Sequence, residues 1–288
     1  MSGESGIDGF TIRHGSLILE VGLVNLQSLK LHEETLNAPL RSLIEDIKRS
    51  GVVKHPVIVD RDSLTVLDGM HRVQALRRIN CVRALTCNVD YQSRDVTLKF
   101  WYRTLNDVDV TLALKLLEEM RLPLQRGKLD AEVLSSPDLV LALITRDDMY
   151  FSIKRGRKVE DAFDIVKILE RRIQARGTLS YYIEDEALKK ALRGEVEAAL
   201  AIPKLSKKDI VELAGKGYLL PPKTTRHVIP ARPMGVNVPL SLLMDRRMET
   251  EEANAVLVEQ LMKRQIVRMG PGATYENRFY EEELYVFV

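Results

Sequence analysis

Three short stretches of the 288-residue chain set chemically capable side chains close together. Asp68-Gly69-Met70-His71-Arg72 follows an apolar run and opens a helical pattern. Gly69 lets the backbone approach a ligand closely, the amides of Met70 and His71 start the helix and point outward, and Arg72 supplies a fixed fork of donors. These features suit a polyphosphate; the plainer alternative is a strand-to-helix turn capped by Asp68, with Arg72 on the surface. His32-Glu33-Glu34 precedes the first helix, where carboxylates gain roughly a few tenths of a kcal/mol from the helix dipole whatever else they do. Lys223-Thr224-Thr225-Arg226-His227 places cations and hydroxyls in consecutive positions, and Pro221-Pro222 and Pro230 stiffen the chain on either side. Such a segment suits anionic groups, although a short run of charge is also the ordinary composition of a solvated basic loop. Trp101, the only tryptophan, is by default a core residue.

Short strands and helices must position these residues. Residues 17–24 read as a strand, and residues 30–34 as a loop. A helix follows, with Pro39 in its first turn and Leu40, Leu43, Ile44 and Ile47 at i, i+3, i+4 and i+7, stopped by Ser50-Gly51. Residues 56–59 and 64–67 form a hairpin around the polar turn at 60–63. Asp68-Gly69 breaks its second strand, and Val73, Leu76 and Ile79 mark the face of the next helix. A strand at 83–89 completes a compact α/β unit, and residues 96–105 carry the chain onward to a boundary near Asn106. Beyond it lie a helix at 109–122, strands at 139–145 and 149–154, a long helix at 159–175 and strands at 178–183 and 196–202. A helix begins near Ser206, capped by the S-x-x-D pattern of Ser206 and Asp209, and leads to the basic segment. After Leu243 come a charged amphipathic helix at 249–264, a Gly-Pro-Gly turn at 270–272 and a strand at 283–288. There is no internal repeat.

The composition excludes whole classes. With 45% hydrophobic and 29% charged residues the chain is neither disordered nor collagen-like, and its length fits one large domain or two ordinary ones. Lys and Arg total 43 against 41 Asp and Glu, a net charge of +2 too small to give the whole chain the electrostatic footprint of a nucleic-acid coat; a local basic patch stays open, but a nucleic-acid partner is not expected. Cys81 and Cys87 make neither a disulfide framework nor a spaced zinc set, which points to the reducing cytosol. Residues 1–8 lack a basic start followed by an apolar run, and no stretch approaches the about 18 apolar residues of a membrane span. The expectation is a cytoplasmic protein with no membrane partner.

The helix, the hairpin and then a strand followed by G-x-x-R-x-x-A, matched by Gly69, Arg72 and Ala75, resemble the ParB/sulfiredoxin superfamily. Within it the chain is most similar to the free L-serine kinases of archaea. The similarity lies in three separated places: His32-Glu33, the Asp-Gly-x-His-Arg turn at Asp68 to Arg72, and Pro-Lys-Thr-Thr-Arg-His at Pro222 to His227. The pair Trp101-Tyr102 also matches. The resemblance spans roughly residues 17–243, and three motifs in one order are far more specific than any alone. The family pattern has His where Met70 stands here. If that ring contacts the nucleotide, Met70 removes a polar contact; if only its amide is used, little is lost. The same position is the catalytic Cys of sulfiredoxins, so Met70 argues against sulfinic-acid reduction, which needs a thiolate.

The resemblance implies an α/β (α+β) fold: a ParB/sulfiredoxin-like nucleotide-binding domain over residues 1–105, a second α/β domain over 106–243 contributing the basic segment, and a helix-strand extension over 244–288. It implies phosphoryl transfer from ATP or ADP, with Mg²⁺, to the hydroxyl of free L-serine, giving O-phosphoserine for cysteine synthesis. Such a reaction needs positioning, charge neutralisation and a carboxylate to take the hydroxyl proton. By the family match Glu33 is that base, ahead of Glu34. Asp68 becomes a second essential carboxylate or one near the Mg²⁺, because hard cations on phosphates take carboxylate oxygens. Asp68, Gly69, Met70, His71 and Arg72 then hold the nucleotide, and His32, Trp101, Lys223, Thr224, Thr225, Arg226 and His227 the substrate and the phosphoryl group. The alternative is a ParB-like regulator that binds nucleotide and DNA without kinase activity. ParB proteins add a helix-turn-helix domain and a basic surface, whereas here strands and helices alternate after Asn106. A silent relative that senses serine or nucleotide differs only in an assay.

Overall fold

The computed structural model describes residues 9–288; the N-terminal stretch read for a leader lies outside them. Two compact units emerge, and they do not follow the expected boundaries. The first gathers the chain up to Thr97 with Ile210–Leu219 and His227–Val288, and the second comprises Leu98–Asp209 and Leu220–Arg226. Residues 244–288 are therefore part of the first unit rather than an extension, and the basic segment divides between Arg226 and His227.

The first unit begins with β1 (Phe10–His14) and β2 (Leu17–Asn25), α1 (Asn37–Ser50), the short β3 (Val52–Val53), β4 (Val57–Asp60), β5 (Val66–Asp68), α2 (Met70–Arg78) and β6 (Arg83–Val89). The five longer strands form a sheet in the order β1-β2-β6-β4-β5, with β4 parallel to β6 and the other neighbours antiparallel. Apolar residues at i, i+3, i+4 and i+7 turn one face of α1 inward. Leu40 there is fully buried, a gain of about 1.5–3 kcal/mol over an exposed side chain.

The second unit is built on β7 (Thr97–Leu105), α3 (Val110–Glu119), β8 (Gln125–Gly127), α4 (Ala131–Ser135), β9 (Leu139–Ile144), β10 (Met149–Ile153), α5 (Val159–Gln174), β11 (Leu179–Ile183), α6 (Glu184–Arg193) and β12 (Ala198–Ala201). Its sheet runs β11-β7-β12-β9-β10-β8, antiparallel throughout. Every residue of β9 is buried, which explains its uninterrupted LVLALI sequence. Sequence reasoning passed over α6, although three acidic residues in its first turn and Lys190 and Arg193 in its last are ordinary helix-end signals.

The helix α7 (Lys207–Gly215) starts at a reciprocal cap, in which Ser206 donates to Asp209 and the Asp209 amide donates back to Ser206 Oγ. Then come β13 (Thr225–Val228), which pairs with β7, and β14 (Ala231–Met234), β15 (Val238–Pro239), α8 (Leu240–Met244), α9 (Thr250–Met262), β16 (Ile266–Met269), β17 (Thr274–Tyr275), β18 (Arg278–Phe279) and β19 (Glu283–Phe287). The strand β19 lies between β14, parallel to it, and β16, antiparallel to it. The C-terminal residues bind the first unit together: β15 pairs with β3, and Arg83 Nη1 donates to the carbonyls of Leu242 (3.1 Å) and Asp245 (2.7 Å). The Leu23 amide donates to Asn254 Oδ1 in α9 (2.8 Å). No helix among the described residues is long and apolar enough to cross a membrane.

Candidate functional site

In the first unit β5 ends at Asp68 and α2 begins one residue later, with Gly69 as its N-cap at φ 98°, a left-handed value that favours glycine. A Cβ at Gly69 would lie 2.8 Å from Arg72 Nε and Nη2, so glycine is also what lets that guanidinium fold back over the turn. Arg72 Nη2 donates to Asp68 Oδ2 (3.1 Å) and Nη1 to the carbonyl of His55 (3.2 Å). Arg232, from β14, donates to the same Asp68 Oδ2 (2.6 Å) and pairs with Glu282. Burial pushes the Asp68 carboxyl up, but Arg232 and Arg72 outweigh it and hold the group well below the usual carboxylate range. Arg278 adds to the same field. Three guanidiniums against Asp68 and Glu282 leave a surplus of positive charge at a helix N-terminus, an arrangement suited to phosphate oxygens. Met70 is the first, partly exposed residue of α2, and His71 Nε2 accepts from the Leu36 amide (3.1 Å), tying α2 to the approach of α1. His55 accepts at Nδ1 from the Gly235 amide (3.1 Å) and meets Glu276 through Nε2 (3.2 Å).

The loop before α1 is laid along β5: the Lys30 amide donates to Leu64, and the Val66 amide to Lys30. This places His32 and Glu33, both buried, in the same unit as Asp68. Glu33 Oε1 lies 3.9 Å from His32 Nε2. From the far end of the chain His227 arrives edge-on to the His32 ring, centroids 5.3 Å apart, with its Nε2 2.8 Å from the Tyr91 hydroxyl. Burial, then the neighbouring His227, drives the His32 pKa well below its ordinary value, against a smaller upward pull from a hydrogen bond to the Val66 backbone. His32 is therefore neutral.

That neutrality has a measurable sign. Unfolded, His32 titrates near 6.5, whereas folded it stays neutral to well below that. Between the two values the unfolded chain binds more protons, so the stability gained is whole above about pH 6.5 and is lost as the pH falls, by up to about 1.4 kcal/mol per pH unit. His55, lowered by burial and then by Arg72, acts in the same direction. Thermal melts are expected to give a lower Tm at about pH 5.5 than at about pH 7.5, and His32→Asn should shrink the difference. An undiminished difference in that variant would show that His32 is not its source.

In the second unit Trp101 is a partly exposed residue of β7, not the core residue that a lone Trp suggests. Lys223 Nζ lies 5.4 Å and Arg226 Cζ 5.7 Å from its ring centroid, within cation–π range. The segment is a solvated loop only in part: Lys223 is exposed in a turn, whereas Thr225 opens β13 and both Thr224 and Thr225 are buried. Thr224, expected on the substrate, is turned into the protein instead: Oγ1 donates to the Pro221 carbonyl (2.8 Å), and its own carbonyl accepts from the Trp101 amide (3.2 Å). The carbonyls of Pro222 and Lys223 accept from Arg103, a fully buried residue of β7.

The structure thus gathers His32, Glu33, Asp68 to Arg72 and His227 in one unit, and Trp101 with Lys223 to Arg226 in the other. Sequence reasoning missed Tyr91, Arg103 and Arg232. The only local signal for Arg232 was a charge set between apolar neighbours in a short Pro-flanked run. The side chains also fail to make a metal centre: among the described residues no three His, Cys, Asp or Glu groups are arranged to hold an ion. Asp68 Oδ2 is moreover already taken by two guanidiniums.

No family model matches the chain. It is 29% identical over 237 residues to an ATP-dependent L-serine kinase of Staphylothermus marinus, covering 78% of this chain and 92% of the relative. It is 28% identical over 230 residues to the ADP-dependent L-serine kinase SerK of Thermococcus kodakarensis, covering 76% and 91%. Among solved structures, the fold matches a free serine kinase variant, with one glutamate replaced by alanine, in complex with AMP. The TM-score is 0.67 at 24% identity, covering 78% of this chain and 94% of that one.

Proposed function

We infer that this chain, a relative of the L-serine kinases, transfers a phosphoryl group from an adenine nucleotide to the hydroxyl of free L-serine, giving O-phospho-L-serine. One observation carries the reading into the geometry: His227, from the last of the three motifs, packs on His32 beside Glu33 from the first. Glu33 takes the proton of the serine hydroxyl as that oxygen bonds to phosphorus and the bond to the departing nucleotide breaks. A neutral His32 suits this role, since a cation there would lower the basicity of the carboxylate. Arg72 and the amides of Gly69, Met70 and His71 hold the phosphates, with Asp68 fixing Arg72 and Arg232 by charge. Lys223, Thr225 and Arg226 hold the acceptor, with Trp101 as their apolar support. Mg²⁺ belongs in this reading as an ion carried by the nucleotide phosphates, where it supplies charge neutralisation. Both donors named for the relatives, ATP and ADP, stay open to this chain. The buried free thiols Cys81 and Cys87 fit a reducing cytoplasm, and the product, with its hydroxyl converted to a leaving group, fits cysteine biosynthesis.

Calorimetric titration tests the binding half. ADP or ATP and L-serine should each bind the wild-type protein. Arg72→Ala should weaken the nucleotide about tenfold or more, the loss of a charge-assisted contact, while serine affinity stays within about twofold. Unchanged nucleotide affinity would make the turn purely structural.

A further inference from the structure

We propose that Arg103 is a positioning residue for the acceptor side, a buried clamp that sets the backbone from Pro222 to Thr224 and with it Lys223 and Arg226 over Trp101. The proposal rests on the reading of that segment as acceptor-binding. All five N–H donors of the Arg103 guanidinium are used. Nε pairs with Glu170 of α5; Nη1 donates to the carbonyls of Trp101 (2.8 Å) and Lys223 (3.2 Å); Nη2 donates to the carbonyl of Pro222 (3.2 Å) and to Thr224 Oγ1 (3.4 Å). Four of these five acceptors lie at Trp101 or in the 222–224 turn. The side chain is wholly excluded from solvent and flanked by the Tyr181 ring, 5.4 Å from its centroid.

A buried ion pair is a poor source of net stability, because desolvation offsets its attraction, but it fixes geometry well. Geometry is what this turn needs. Lys223 sits at φ 58°, in the left-handed region that non-glycine residues seldom occupy, and Arg103 holds the carbonyl of that same residue. Trp101, whose carbonyl takes the other Nη1 proton, is the ring that Lys223 and Arg226 face. A lysine at position 103 would keep the charge opposite Glu170, but three tetrahedral donors cannot reach five acceptors arranged for a planar fork.

The test uses Arg103→Lys in the full chain. Trp101 is the only tryptophan, so its emission and its quenching by acrylamide report this turn whatever the protein catalyses. The folded variant is expected to show Trp101 emission and quenching clearly shifted from wild type. Its Michaelis constant for serine should rise about tenfold while that for the nucleotide stays within about twofold, the signature of one substrate's lost contact. Thr224→Val, which removes one acceptor and keeps the buried charge, should give smaller changes of the same kind and stands in if Arg103→Lys does not fold. Unchanged Trp101 emission and quenching overturn the clamp. A changed Trp101 signal with an unchanged constant for serine overturns its link to the acceptor. If wild type makes no phosphoserine, the kinase reading has failed, and the fluorescence alone still decides whether Arg103 sets the turn.

Discussion

Glu33→Gln is expected to keep the fold and the nucleotide affinity while losing about 10²-fold or more in turnover, the effect of removing a general base. The amide is nearly isosteric with the carboxylate and accepts hydrogen bonds, so packing around this buried position changes little. What it cannot do is take a proton. Its neighbour His32 cannot substitute, because burial and His227 already hold that ring far below its ordinary pKa. Turnover, Tm and calorimetric nucleotide affinity measured together separate loss of chemistry from loss of fold. Near wild-type turnover would transfer the role to Glu34 or Asp68.

Arg226→Ala should raise the Michaelis constant for serine by about 30-fold or more, the scale of truncating one partner of a hydrogen-bonded charge pair, with the nucleotide constant nearly unchanged. The amino-acid carboxylate needs a cation. Arg226 stands over Trp101 as a partly exposed guanidinium that can grip a carboxylate with two donors. Arg226→Lys should recover the charge and only part of the affinity. A variant that loses nucleotide affinity and keeps serine affinity would assign the segment to the phosphates instead.

The three motifs were legible because each is a local pattern whose residue types state their chemistry. The hairpin ahead of Asp68 and the helix after it were legible for the same reason, since apolar period and turn residues are local signals. Arg232 was not, because its meaning comes from Asp68, far earlier in the chain, and only the fold brings the two together. Tyr91 and Arg103 share that difficulty: one is read through His227, the other through the carbonyls of a distant turn. The unit boundaries were misjudged because a sequence shows that residues 283–288 make a strand but not that this strand joins β14 and β16. Thr224 looked like a ligand because hydroxyls beside cations do, yet its own backbone turn occupies the hydroxyl.

The most direct measurement is to incubate the purified protein with L-serine, Mg²⁺ and either ATP or ADP, and to follow product by phosphorus NMR and mass spectrometry. The expected result is O-phospho-L-serine formed with at least one donor, in step with ADP from ATP or AMP from ADP, and suppressed in Glu33→Gln. Binding of both ligands with no phosphoserine from either donor would contradict the assignment as a kinase.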